Sequence, residues 1–143
     1  MHRVHRSAII AYSPKQMYDL VNDVESYPDF IPWCDRVEVK EHTDKTMRAS
    51  IHIVKGPFSQ SIATRNNLAP HETIEMLLED GPFSTFHGTW RFEDLEQQAT
   101  KVHFEAEFAF TSKMLDIMLG RFFDDITNHM IDAFCDRAKE IYK

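Results

Sequence analysis

Strand alternation would put His103, Glu105 and Glu107 on one face, where an imidazole beside two carboxylates could pass a proton. Val102, Phe104, Ala106, Phe108 and Phe110 take the other face, so the titratable trio falls on the solvent side. A charged outer face is the ordinary reading of such a pattern. Eight histidines raise the question of a metal. No HExxH occurs, however, and His2 and His5 within one strand point to opposite faces. GxSxG and Gly-rich phosphate loops are also missing from the sequence. Cys34 and Cys135 stand far apart, outside any CxxC, and read as free thiols in a reducing compartment. No catalytic set stands out.

The chemistry must therefore come from apolar surface, and the segment DVESYPDFIPWC (23–34) carries an unusual amount of it. Pro28 and Pro32 forbid an ordinary helix interior or central strand there. Tyr27, Phe30 and Trp33, spaced by three, share a direction in a tight helical turn or an extended three-fold segment. The segment reads as a stiff lid over an opening or as a plug that closes the core.

The elements that position these residues follow from periodicity. Residues 3–11 form a first strand, and Ser13-Pro14 opens a helix with Ser13 as N-cap. Between 36 and 111 the period is two, with turns at Gly56-Pro57 and Asp80-Gly81-Pro82. From Ser112 to Tyr142 no proline intervenes and apolar residues recur at helical spacing, predicting one helix of roughly 45 Å. The expected fold class is α+β: a curved antiparallel sheet of about seven strands gripping a long C-terminal helix, with short helices after strand 1. Ala49, Gly88 and Ala106 put little volume on the inner face, and Gly120 interrupts the long helix. The same inner-face aromatics would line a pocket or fill a core.

At 143 residues the chain reads as one domain, 1–143. The net charge of −7 argues against bulk attraction to nucleic acid or to an anionic membrane, and sequence-specific DNA binding is not expected. Neither a signal peptide nor a membrane span is legible, so the expectation is a cytoplasmic protein, at most peripheral to the inner membrane. The segment MLDIMLGRFF (114–123) is apolar almost all round and could wall a pocket, touch a membrane or face a partner.

The segment DVESYPDFIPWC, with DGPFSTFHGTWRF (80–92) and FAFTSKMLDIMLGRFF (108–123), resembles the coenzyme-Q-binding START-domain family. The likeness is closest to its bacterial branch of ribosome-association toxins. The matching positions are Asp23, Tyr27, Pro28, Phe30, Pro32, Trp33 and Cys34, then Asp80, Gly81, Pro82, Phe83, Gly88, Trp90 and Phe92. The resemblance implies a helix-grip fold with a hydrophobic cavity and non-enzymatic binding of a polyprenyl quinone (ubiquinone) or other lipid, supporting respiration. No cofactor is required on this reading, and a START-like cyclase or hydrolase is the enzyme class that stays open. The alternative is a toxin-like translation inhibitor that binds the large ribosomal subunit and blocks subunit association. The candidate cavity lining is Phe30, Trp33, Phe86, Trp90, Phe108, Phe110, Met118 and Phe122. Thr64, Asn66 and Arg65 are the candidates for a polar head group, with Arg65 alternating to the outer face.

Overall fold

The computed structural model describes residues 1–142. Strand β1 (His2–Ile10) leads into helix α1 (Pro14–Asn22) and a 3₁₀ segment (Val24–Asp29). Six strands follow: β2 (Cys34–His42), β3 (Thr46–Lys55), β4 (Phe58–Ala69), β5 (Thr73–Asp80), β6 (Phe83–Asp94) and β7 (Thr100–Phe110). The order β1-β7-β6-β5-β4-β3-β2 makes one curved seven-stranded sheet in which every neighbouring pair is antiparallel. Helices α2 (Lys113–Asn128) and α3 (Met130–Ile141) cover its inner face. This is the expected helix-grip architecture.

β1 and β2 are the two edges, so the chain between them crosses the whole sheet. Helix α1 begins that crossing with a reciprocal cap: Gln16 N donates to Ser13 Oγ and Ser13 N to Gln16 Oε1, with Pro14 at the first helical position. It ends under Tyr27, whose buried hydroxyl donates to the Val21 carbonyl. Pro28 lies inside the 3₁₀ turn, which its fixed φ allows although an α-helix interior would not.

The C-terminal helix differs from the single rod that the spacing predicts, because it breaks at His129. Neither proline nor glycine causes the break. Thr127 Oγ1 donates to the Phe123 and Asp124 carbonyls, and Asn128 Nδ2 donates to Asp124. His129 Nδ1 lies 2.8 Å from the Asp125 carbonyl. Side chains that take carbonyls from the helical ladder loosen and bend it.

Two hydrophobic clusters fill the grip. One gathers Tyr27, Trp90, Phe92, Phe104 and Phe134 beneath α1 and α3. The other gathers Phe58, Phe83, Phe108, Phe110 and Phe123 beneath α2. Trp33, Ile51 and Met130 pack against both and form the seam between them. The break at His129 falls on that seam, next to Met130.

Candidate functional site

Several residues expected to line a cavity pack closely against other aromatic side chains. Phe108 has no exposure, and its ring centroid lies 4.7 Å from that of Phe123. Phe123 also packs against Phe58 at 5.5 Å and Phe83 at 5.0 Å, while Phe110 stands 4.9 Å from Phe83. Trp90 is buried between Phe104 at 4.7 Å and Phe134 at 5.2 Å. The volume left free at Gly88 is taken by Met76: a Cβ on that glycine would sit 2.6 Å from Met76 Cε. Trp90, Phe108 and Phe110 are thus brought together as packed core, whereas Phe86 and Phe122 are half-buried at its margin.

Two candidates lie elsewhere. Met118 is 57% exposed on the outside of α2. The inward stripe of that helix is Leu119, Phe123 and Ile126, and a step of about 100° from residue 119 carries position 118 off it. Arg65 is exposed on the outer face, because its neighbours Thr64 and Asn66 take the inner one. Thr64 Oγ1 donates to Asn66 Oδ1 at 2.9 Å, so those two inner-face polar groups meet each other rather than a ligand head. His103 takes the outer face that the alternation predicts, but it is not exposed there. It is buried, with Nε2 2.9 Å from Glu93 Oε1 and its ring beside His5. The hydrogen bond with His103 holds the Glu93 carboxyl below the usual carboxylate range.

Phe30 and Trp33 do line an opening. With Pro32 and the α3 residues Ala133 and Arg137 they form a groove of about 320 Å³, and His129 stands at the helix break beside it. Trp33 is fixed from the backbone, since Val54 N donates to its carbonyl at 2.9 Å. The Lys55 ammonium lies 5.9 Å from the Trp33 ring centroid, and the Arg137 guanidinium lies 5.1 Å from that of Phe30. Both distances suit cation–π attraction. Arg137 also pairs with Glu140 at 3.3 Å. Cys34, the next residue, is buried, and burial with the nearby Asp35 charge pushes its thiol up to about 11. It is therefore no nucleophile at neutral pH. The segment divides between two environments: Tyr27 and Ile31 are buried in the core, while Phe30 and Trp33 are half-exposed at the groove.

The groove combines the rings of Phe30 and Trp33, the Arg137 cation and a carboxylate rim of Asp136 and Glu140, which suits a flat polar ring or a partner's side chain. Among the described residues no group of three His, Cys, Asp or Glu side chains could hold a metal ion. Arg137, His129 and Lys55 escaped the sequence reading. Only the four-residue step from Ala133 to Arg137 hints that those two share a face.

Residues 10–135 match the family model described as polyketide cyclase / dehydrase and lipid transport. The chain belongs to this family. Among its relatives is the ribosome association toxin RatA of Pseudomonas aeruginosa, 42% identical over 139 residues, 97% of this chain and 96% of that one. More distant is the mitochondrial coenzyme Q-binding protein COQ10 homolog B of Xenopus laevis, 28% identical, covering 95% of this chain and 57% of that protein. The family fold is shared with the Zhui aromatase/cyclase from Streptomyces sp. R1128, with a TM-score of 0.88 at 18% identity over 99% of this chain and 96% of that one. The resemblance carried by the three sequence motifs is borne out. Zhui, which shares the fold, is named as an enzyme, and RatA is named for the ribosome.

Proposed function

We propose that this protein is a non-enzymatic factor that associates with the ribosome, binding the large subunit and hindering its union with the small one. The observation that carries this reading is likeness along essentially the whole chain to RatA proteins, at 42% identity in Pseudomonas aeruginosa and 41% in Escherichia coli. The packed interior supports it. Phe58, Phe83, Phe108, Phe110 and Phe123 are engaged with one another beneath α2, which leaves the surface free to carry a contact. A net charge of −7 directs the contact to basic protein on the subunit rather than to RNA phosphates. Gradient sedimentation of ribosomal subunits with added protein tests the reading. The expected result is co-migration with the large subunit and fewer joined particles. Unchanged joining with no co-migration would overturn it.

A second reading, binding of a polyprenyl quinone in support of respiration, is favoured by the groove at Phe30 and Trp33 and by the likeness to a coenzyme Q-binding protein. A quinone ring would lie against those aromatic faces, with its carbonyls toward Arg137 or Lys55. Its tail would have to part α2 from the sheet. Extraction of the purified protein, followed by titration with a short-tailed quinone, tests this. Failure to find or bind quinone in both would remove it.

A further inference from the structure

Helix α2 carries a second apolar stripe that packs against nothing in the described chain. Met114, Ile117 and Met118 are 70%, 79% and 57% exposed, and they project from the side opposite the buried Leu119, Phe123 and Ile126. At about 100° per residue, Arg121 falls almost directly above Met114, between Ile117 and Met118. Lys113 begins the same helix.

The three carboxylates of α2 are all paired. Asp116 and Asp124 both turn to His2, with Asp124 Oδ2 3.1 Å from His2 Nδ1. Asp125 pairs with Lys55 at 3.1 Å and with His129 at 3.3 Å. Lys113 and Arg121 take no part in any ion pair among the described residues. The stripe therefore presents aliphatic and thioether groups flanked by two free cations.

We propose that this face of α2 docks on an anionic lipid bilayer, a property beyond the ribosome reading. Three features choose the occupant. The side chains at 114, 117 and 118 offer no hydrogen-bonding group and no aromatic face, so they suit acyl chains better than nucleobases. The apolar patch rests on three side chains of one helix face, far fewer than the roughly 20–30 residues a side of a standard protein interface. The unpaired Lys113 and Arg121 complement lipid phosphates at the depth where the apolar groups would enter. Among the described residues no helix is long and apolar enough to cross a membrane, so α2 would lie on the surface. Its stiffness for this is built in, because Leu115 N donates to Ser112 Oγ at its start and His2 clamps its flank.

Flotation with vesicles tests the proposal, using equal parts phosphatidylcholine and phosphatidylglycerol against pure phosphatidylcholine. At about 0.1 M salt the protein is expected to float with the anionic vesicles only, and to release them as salt rises and shortens the Debye length. The triple variant Met114→Ser, Ile117→Ser, Met118→Ser should bind about tenfold more weakly or worse, as should Lys113→Glu with Arg121→Glu. All five side chains lie on the exposed face, so melting curves matching the wild type will establish that the variants fold. A wild-type protein that stays below the anionic vesicles, or a triple variant that floats as well as wild type, overturns the proposal. So does a wild-type dimer that the triple variant splits, or ribosome co-sedimentation lost in the triple variant while wild type ignores vesicles.

Discussion

The imidazole of His2 lies where a side chain at position 120 would begin. A Cβ on Gly120 would meet His2 Cε1 at 3.1 Å and Nε2 at 3.2 Å. The ring cannot retreat, because it is stacked on Phe108 at 4.9 Å and held between Asp116 and Asp124. Gly120 is therefore the close approach that lets the first strand dock on α2. Gly120→Ala should destabilise by about 1 kcal/mol despite the better helix propensity of alanine. In a His2→Ala background the same change should stabilise by up to about 1 kcal/mol, as a double-mutant cycle in urea will show.

Trp33 and Phe134 should separate groove from core. Phe134 is 1% exposed among Tyr27, Phe30 and Trp90, so Phe134→Ala is expected to cost about 3–5 kcal/mol. Trp33 keeps one side in the groove, and Trp33→Ala should cost only about 2 kcal/mol while weakening any groove ligand or partner. Urea melts combined with the binding assays measure both, and equal losses of stability would make Trp33 a plug.

Thr64 and Asn66 form a buried pair within one strand. Thr64→Val keeps the shape but leaves Asn66 Oδ1 without its donor, at a cost of about 1–3 kcal/mol. Replacing both, with Thr64→Val and Asn66→Leu, should recover part of that loss. Thermal or urea melts of the single and double variants read it.

Alkali should unfold this protein through its buried thiol and phenol. The Cys34 thiol is held up to about 11, and burial also pushes the Tyr27 phenol above its usual value. A raised folded-state value means the native state keeps its proton longer than the unfolded chain. The stabilisation is full below the unfolded thiol value of about 8.5 and is lost as pH rises toward 11. Melting temperature should be level to about pH 8.5 and then fall. Cys34→Ala should remove the earlier part of the fall and leave the part set by Tyr27. Alkylation of native protein at neutral pH should leave Cys34 unmodified.

Much of this fold was legible because its signals are local. The Ser13-Pro14 cap, the Gly56-Pro57 and Asp80-Gly81-Pro82 turns and the alternation along β6 and β7 each depend on a few adjacent residues. The break after Asn128 was missed although Thr127, Asn128 and His129 are all poor helix formers, since the apolar spacing continues unbroken through them. Met118 was placed inside because MLDIMLGRFF is apolar on every side, and such a segment does not reveal which stripe turns inward.

The sequence by itself determined the strand alternation, the turns, the starts of α1 and α2 and the family, because these follow from neighbours along the chain. Only the tertiary structure decided that Phe108 and Phe110 pack against Phe83 and Phe123, that His2 accounts for Gly120, and that Trp33 meets Lys55 beside a groove with Arg137. Periodicity states which side of an element faces inward, but not what meets it there. Those partners lie from about twenty to more than a hundred residues apart, and only folding brings them into contact.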